Sequence, residues 1–229
     1  MLLYYFDVYG MIFMLPFLVF AIWCSYNVKN TFQKYSQTKS SRKMTGAQAA
    51  QELLQQNGVY DVRIEHISGK LNDHYDPRTK VIRLSDDVYN STSIAAIGVA
   101  CHEAGHAVQH ATGYTPLKIR NAIIPVTNIG SQFGIFGVVL GFLLSADWLV
   151  TVSLILFFFT VLFQLLTLPT ELNASRRALE TLESTHMLHG KEVDGARKVL
   201  NAAALTYVAA LATAIAQFFR VLIYANRRR

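Results

Sequence analysis

Long apolar segments alternate with polar segments along this chain of 229 residues. A helix needs about twenty mostly apolar residues to cross the hydrocarbon core of a bilayer. Four segments have about that length, at residues 8–24, 122–144, 148–168 and 199–219. The pattern therefore predicts a mainly α integral membrane protein with about four transmembrane helices. The second and third form a tight hairpin, because only Ser145, Ala146 and Asp147 separate them.

The first apolar segment and the residues after it predict an anchor, a linker and a short helix. The segment lacks the basic start and the A-x-A cleavage site of a signal peptide, so we interpret it as a retained anchor. Residues 25–44 are polar and rich in Ser, Lys and Gln, which predicts a juxtamembrane linker. Thr45 and Gln48 then form a capping-box pattern ahead of a helix that Gly58 ends.

The same polar region has the pattern of a small sheet and of one longer helix. Alternating residues at 62–66 and a β-prone run at 80–84 predict two strands, with turn chemistry at 73–78 between them. Residues 90–93 offer N-cap oxygens and Gly113 a stop, which predicts a helix of about twenty residues between them. We expect the sheet to pack against this helix. The exposed edge of the sheet could hold an extended peptide by strand addition.

Lysine and arginine lie on one side of the predicted spans, which indicates an orientation. Neither residue occurs in the N-terminal tail or at the hairpin tip, whereas twelve basic residues flank the polar regions. They are Lys29, Lys34, Lys39, Arg42, Lys43, Lys118, Arg120, Arg176, Arg177, Lys191, Arg197 and Lys198. Positive-inside reasoning predicts an outside N-terminus and both polar regions in the cytoplasm. Arg220 and the tail at 227–229 oppose this orientation, but they are fewer.

Composition agrees with contact to lipid and excludes other classes of function. Charged residues make up 16% of the chain, against about 25% in an average soluble domain, and the mean hydropathy is +0.27. The net charge is +6. The basic residues flank the predicted spans, where they anchor the helices at anionic headgroups, so the charge does not indicate a nucleic-acid partner. Cys24 and Cys101 do not resemble a disulfide framework and are expected as reduced thiols.

The second apolar segment carries two G-x-x-x-G patterns, formed by Gly130, Gly134, Gly137 and Gly141. Small residues at that spacing let helices approach closely in lipid. Packing within the monomer is the favoured interpretation, and dimerisation is the alternative.

The candidate metal-binding and catalytic residues lie in the sequence Cys-His-Glu-Ala-Gly-His at 101–106, inside the predicted helix. Side chains four residues apart share a helix face, so His102 and His106 can bind one zinc ion. Glu103 can then act as general base on a water that the metal polarises. Cys101 points about 100° away from His102 and is expected to pack rather than to coordinate. A core helix with two ordinary histidines is the alternative.

A catalytic zinc site usually has three protein ligands, and three residues are candidates for the third. Glu171 follows Pro169 and Thr170, which predict a helix start, and the two intervening spans return it to the side of the motif. A carboxylate that merely caps this helix is the alternative. His110 lies on the same helix face as His102 and His106 but a full turn further along. Asp194 lies in a Val-Asp-Gly sequence similar to the L-D-G motif of site-2 proteases, and we favour Glu171 over both.

The chain resembles the bacterial membrane zinc metallopeptidases of the YugP group and, more distantly, the HtpX and Ste24 integral-membrane gluzincins. The likeness covers nearly the whole chain and is carried by residues 83–113, 171–179 and 190–210.

This resemblance implies a gluzincin site, with one Zn²⁺ per chain on His102, His106 and Glu171 and with Glu103 as general base. The distant relatives have E-x-x-x-D, but Ser175 stands where their Asp would be. Support for a zinc-bound histidine is therefore expected to be weaker or to come from elsewhere.

These expectations divide the chain into five regions and give the fold class. The regions are an anchor at 1–25, a cytoplasmic metallopeptidase region with the motif helix at 26–120, a transmembrane hairpin at 121–168, a cytoplasmic helix with the third zinc ligand at 169–198, and a transmembrane helix with a basic tail at 199–229. The expected fold is a mainly α, multi-pass protein of the bacterial inner membrane with a small α+β gluzincin-like zinc peptidase region on the cytoplasmic side.

The expected function is that of a membrane-bound zinc-dependent endopeptidase, with membrane-protein quality control as its setting. The expected partners are a protein or peptide substrate and the lipid bilayer, without nucleic acid; the sequence leaves the oligomeric state open. A second electrophile is expected, with His74, Tyr75, His186 and His189 as candidates. The alternatives are a site-2-type intramembrane protease with Asp194 as ligand and a non-catalytic zinc-binding membrane scaffold.

Overall fold

The computed structural model describes residues 2–226, apart from the side chains of residues 2–7, Ile135 and Tyr224. The basic tail predicted to face outside, Arg227 to Arg229, lies beyond the described residues. Helices and strands follow one another as α1 Leu2–Ser36, α2 Gly46–Gln56, β1 Arg63–His66, β2 His74–Asp76, β3 Val81–Leu84, α3 Ile94–Ala111, α4 Thr115–Leu143, α5 Asp147–Ser184 and α6 Lys191–Asn226.

The chain forms two compact units. The apolar unit comprises Met1–Cys24, Lys118–Leu168 and Thr206–Arg229, and the motif unit comprises Ser25–Leu117 and Pro169–Leu205.

Three helices within residues 2–226 are long and apolar enough to cross a membrane: Val8–Ser36, Asp147–Ser184 and Lys191–Ile223. A fourth candidate consists of the two parts of α4, Thr115–Gly134 and Phe136–Leu143, which are bent by 47° relative to each other. The structure therefore confirms a mainly α protein with membrane character. The span predicted at 122–144 stays a prediction.

Large apolar side chains are exposed along the helices of the apolar unit. Examples are Val19, Ile22, Phe133, Phe136, Trp148 and Ile155, each more than half exposed. A soluble monomer rarely exposes contiguous apolar surface of this kind, so these helix faces fit contact with lipid.

The glycines of α4 pack against α5 within the apolar unit. A Cβ at Gly130 would lie only 2.1 Å from the carbonyl oxygen of Leu156, and one at Gly137 only 2.2 Å from the hydroxyl of Ser153. The two helices can approach this closely because these positions carry no side chain. This packing within the monomer agrees with the favoured interpretation of the G-x-x-x-G patterns.

Helix α3 is the element around which the motif unit is built. Ser93 caps it by accepting a hydrogen bond from the backbone N–H of Ala96 at 3.2 Å, and Gly113 follows its end with φ of +66°. Its apolar face is fully buried against α2, β2 and β3. Helix α2 starts at the predicted capping box, in which Thr45 and Gln48 bond each other's backbone N–H.

A three-stranded sheet in the order β1-β3-β2 covers part of α3. Strands β1 and β3 are parallel, and β2 is an antiparallel edge strand in which Tyr75 lies opposite Ile82. The prediction of a turn over 73–78 was wrong for His74–Asp76, which form β2. The turn chemistry belongs to the residues that follow, because the Asp76 carboxylate accepts hydrogen bonds from the Arg78 backbone and the Thr79 hydroxyl.

Helix α1 extends beyond the predicted anchor. The prediction of a linker over residues 25–44 was wrong up to Ser36, where α1 ends. Phe32 is buried in the core of the motif unit, and Tyr35 packs against Gly195. Burial of these two aromatic side chains stabilises the helical turns that composition alone assigned to a linker.

Helix α5 is continuous through Pro169, so the prediction of a helix start at Thr170 was wrong. Proline removes one backbone hydrogen bond from a helix, but it does not end a helix that packing holds on both sides. Before Pro169, Phe157 packs on Gly134 of α4; after it, Ala174 packs on α3. Glu171 is therefore an interior residue of the helix and not its cap.

Candidate metal centre

Two histidines of α3 and one carboxylate of α5 converge in the motif unit. Donor atoms of His102, His106 and Glu171 all lie within 4.8 Å of one another. The Oε2 atom of Glu171 is 3.2 Å from Nε2 of His102 and 3.3 Å from Nε2 of His106. Zinc bonds of about 2.0–2.2 Å in a tetrahedral arrangement separate neighbouring donors by about 3.3 Å. The donor types of all three residues and the two distances from Glu171 therefore fit a zinc ion.

The centre is largely shielded from water. Glu171 is only 4% exposed, and both histidine side chains are mostly buried. Burial lowers the pKa of His106, but the adjacent Glu171 carboxylate outweighs this effect, so the pKa lies above its ordinary value. A proton therefore competes with a metal ion for His106, and metal binding is expected to weaken as the pH falls.

Small residues bring α3 and α5 together at the candidate metal centre. Gly105 lies between the two histidines of the motif on the side that faces α5. A Cβ at this position would lie 2.6 Å from the carbonyl oxygen of Ala174, which itself lies between Glu171 and Ser175 in the sequence. The absence of a side chain at Gly105 thus allows Glu171 to reach the histidines.

Ser175 supports His102. Its hydroxyl oxygen is 3.0 Å from Nδ1 of His102, the ring nitrogen that does not face Glu171. Ser175 is the residue at which the sequence predicted weaker support or support from elsewhere, and its hydroxyl makes a hydrogen bond to His102 itself.

Gln109 supports His106, and the sequence analysis did not identify it. Its Oε1 atom is 3.0 Å from Nδ1 of His106, and its side chain is fully buried. Its Nε2 atom donates to the carbonyl oxygen of Thr170 at 2.8 Å and to Oδ1 of Asn173 at 3.0 Å. One signal was present in the sequence: Gln109 follows His106 by one helical turn on the buried side of a helix.

Glu103 is held by the edge strand of the sheet. Its Oε2 atom accepts a hydrogen bond of 3.0 Å from the backbone N–H of Tyr75 in β2. In an antiparallel strand the N–H and C=O of one residue point to the same side. The edge of β2 that is not paired with β3 therefore faces the motif helix at Glu103, the residue next to His102.

Tyr75 also reaches the third histidine of the motif helix. Its hydroxyl is 2.8 Å from Nδ1 of His110, and burial, with Asp61 and Asp76 adding to it, raises the pKa of Tyr75 to about 12. His110 is exposed and is not part of the three-residue metal group. The hydrogen-bond partner of the His110 ring is therefore Tyr75.

The remaining candidates lie elsewhere among the described residues. Asp194 is exposed in the first turn of α6, and His186 and His189 stack on each other in the connection between α5 and α6. His74 is exposed and bonds the carbonyl oxygen of Asn72. Cys101 is fully buried, which raises the pKa of its thiol, in agreement with a packing role.

Comparisons with known proteins give the family of the chain. A family model described as "Putative neutral zinc metallopeptidase" matches residues 10–226. The chain is 44% identical over 209 residues to the "Putative membrane protease YugP" of Bacillus subtilis (strain 168), covering 91% of this chain and 93% of that protein. No solved structure gives a significant match. Since the family model spans nearly the whole described chain, the protein belongs to this zinc metallopeptidase family.

Proposed function

We propose that the protein is a membrane-bound, zinc-dependent endopeptidase with one zinc ion on His102, His106 and Glu171. The observation that carries the proposal is the convergence of these three donors within 4.8 Å of one another, with Glu103 beside them in the motif helix. Two imidazoles and one carboxylate leave a fourth tetrahedral position for water or substrate, as catalytic zinc sites do. Zinc held there would lower the pKa of a water and polarise the scissile carbonyl.

Glu103 is the proposed general base. The Tyr75 backbone N–H holds one of its carboxylate oxygens at 3.0 Å, which fixes the orientation of the other. Glu103 takes the proton of the attacking water and delivers it to the leaving amine. Glu103 thereby returns to its carboxylate form, and the proton does not have to leave the site.

The open edge of β2 is the proposed binding surface for substrate. The Tyr75 N–H is bonded to Glu103, so an extended peptide can add to this edge through the Tyr75 carbonyl oxygen, which places it beside Glu103. Strand addition uses internal residues of the peptide and not its ends, which favours an endopeptidase. Unfolded loops or tails of membrane proteins fit this mode, and removal of damaged membrane proteins is the proposed setting.

The proposed location is the bacterial inner membrane, with the metal centre in the cytoplasm. The support comes from the basic residues that flank the polar regions and from the apolar helices of the apolar unit.

The direct test of the function is the Glu103→Gln variant. In purified full-length protein with zinc and casein as substrate, this change should lower cleavage by about a hundredfold or more, because the general base is lost. Zinc content should stay at the wild-type value, because Glu103 is not a proposed ligand. The Glu180→Gln variant, at an exposed residue of α5, is the matched control and should cleave normally. Equal cleavage by wild type and Glu103→Gln would remove the proposal.

The alternatives have less support. A site-2-type protease would use Asp194, but this residue is exposed and outside the three-residue metal group. A zinc-binding scaffold would use the same ligands and would be insensitive to Glu103→Gln, so the same assay separates it from the peptidase.

A further inference from the structure

We infer that Gln109 is a positioning residue of the metal centre, and that Arg177 sets the direction of its amide through Asn173. The amide of Gln109 holds His106 in the tautomer that carries its proton on Nδ1 and presents a lone pair on Nε2. This inference rests on the proposed metal site but not on peptide hydrolysis.

The direction of the hydrogen-bond chain follows from groups that can only donate or only accept. The guanidinium of Arg177 only donates, and its Nε lies 2.9 Å from Oδ1 of Asn173, so the atom of Asn173 at that position is the oxygen. The same oxygen also faces the Gln109 amide at 3.0 Å, so that end of the amide must be the nitrogen. The carbonyl of Thr170 only accepts, and its distance of 2.8 Å requires the same assignment.

The other end of the Gln109 amide is then an oxygen, and it lies 3.0 Å from Nδ1 of His106. An oxygen acceptor requires an N–H at Nδ1, and a neutral imidazole has only one N–H. In the neutral imidazole that binds a metal ion, the lone pair is therefore on Nε2, the atom that lies 3.3 Å from Oε2 of Glu171. A reversed amide would place its oxygen against two acceptors, the Thr170 carbonyl and Oδ1 of Asn173, in a fully buried site.

His102 lacks such a fixed direction. Its Nδ1 partner is the hydroxyl of Ser175, which can either donate or accept, so this contact does not select a tautomer. Gln109 thus has a role that Ser175 cannot fill. It also links the two ligand-bearing helices, because it lies on α3 and donates to two residues of α5.

Zinc affinity, measured on the full-length protein by competition with a chromophoric chelator, tests this role. The Gln109→Met variant keeps the volume of the side chain and removes the amide; it should weaken zinc binding by about 10- to 100-fold. Arg177→Met should weaken it several-fold, whereas Arg176→Met, at the exposed neighbour, should leave it unchanged. Thermal unfolding without metal shows whether each variant is folded.

Two variants of Asn173 should differ in zinc affinity if it orients Gln109, and should not differ if its role is merely structural. Asn173→Asp keeps an oxygen toward both Gln109 and Arg177 and should keep zinc affinity near the wild-type value. Asn173→Leu has a similar volume and no acceptor, and it should bind zinc as weakly as Arg177→Met or more weakly. Should Gln109→Met fail to fold, the Arg177 and Asn173 variants decide.

Zinc affinity within twofold of wild type in both Arg177→Met and Asn173→Leu would overturn the inference, as would equal losses in Asn173→Asp and Asn173→Leu. A wild-type protein that binds zinc but cleaves no peptide would remove the proposed function alone, because the affinity series would still test Gln109.

Discussion

Gly105 is the residue on which the geometry of the metal centre depends most closely. It lies within the histidine motif, and a side chain there would meet the backbone of α5 beside Glu171. A backbone carbonyl cannot move aside in the way that the end of a flexible side chain can. A methyl group at this position must therefore separate α3 from α5.

The Gly105→Ala variant should separate the ligands. Its Cβ would lie 2.6 Å from the Ala174 carbonyl oxygen, so the helices must move apart by several tenths of an ångström. Overpacking of this kind costs about 1–3 kcal/mol, and zinc affinity should fall about tenfold or more. Chelator competition and thermal unfolding of the purified protein measure the two effects.

Gly98→Ala is the matched control for this change, because Gly98 lies in the same helix. A Cβ there would make an ordinary contact of 3.4 Å with Cβ of Ala196. This variant should bind zinc normally and be as stable as wild type. Equal zinc affinity in the two alanine variants would contradict the role given to Gly105.

At the residue scale, local spacing in the sequence was sufficient to predict His102, Glu103 and His106 as candidates. Glu171 needed the additional argument from membrane topology, because it lies on a different helix. Gln109 was missed, since its position one turn after His106 does not show which groups its amide contacts. The hydrogen bond of Ser175 was also missed, because distances between α3 and α5 depend on packing at Gly105.

Among the elements, the hairpin of α4 and α5 is held by close contact between two helix backbones. Gly130 is the closest point, at which a Cβ would lie 2.1 Å from the Leu156 carbonyl oxygen. In lipid, where water does not drive helices together, such packing is a main source of association.

The Gly130→Ala variant should therefore destabilise the monomer and leave its oligomeric state unchanged. The loss of close packing should lower the free energy of unfolding by about 1–3 kcal/mol, measured in detergent. Ser131→Val, on the exposed neighbouring face, adds volume without this contact and serves as the control. A change in the oligomeric distribution without a loss of stability would favour the dimer interpretation instead.

Sequence patterns predicted the elements better than their ends. Caps with their own local hydrogen bonds, at Thr45 and Ser93, were found because the partners lie within one turn. Strand β2 was missed because it depends on pairing with β3, and the continuity of α5 through Pro169 depends on packing on both sides. Both features require contacts that local propensity does not contain.

On the scale of the whole molecule, composition and the length of the apolar segments were sufficient to predict membrane character. They could not predict the motif unit, whose contacts join distant parts of the chain. One example is the Glu192 carboxylate of α6, which accepts hydrogen bonds from the backbone and the hydroxyl of Ser41. Contacts of this kind follow from the tertiary fold and leave no periodic pattern.

The proposed orientation can be tested with single cysteines in an otherwise cysteine-free protein. A cysteine at Lys43 in the first polar region should react with a membrane-impermeant maleimide only after the cells are opened. A cysteine at Ala146, at the hairpin tip, should react in intact cells. The reverse pattern would place the metal centre outside and would contradict the cytoplasmic assignment.

The zinc content of the purified full-length chain tests the central claim most directly. The wild-type protein should contain about one zinc ion per chain. Glu171→Gln, which keeps the shape of the side chain but weakens it as a ligand, should lose most of the metal, and Asp194→Asn should keep it. Full zinc content in Glu171→Gln, or loss of zinc in Asp194→Asn, would contradict the assignment of the third ligand.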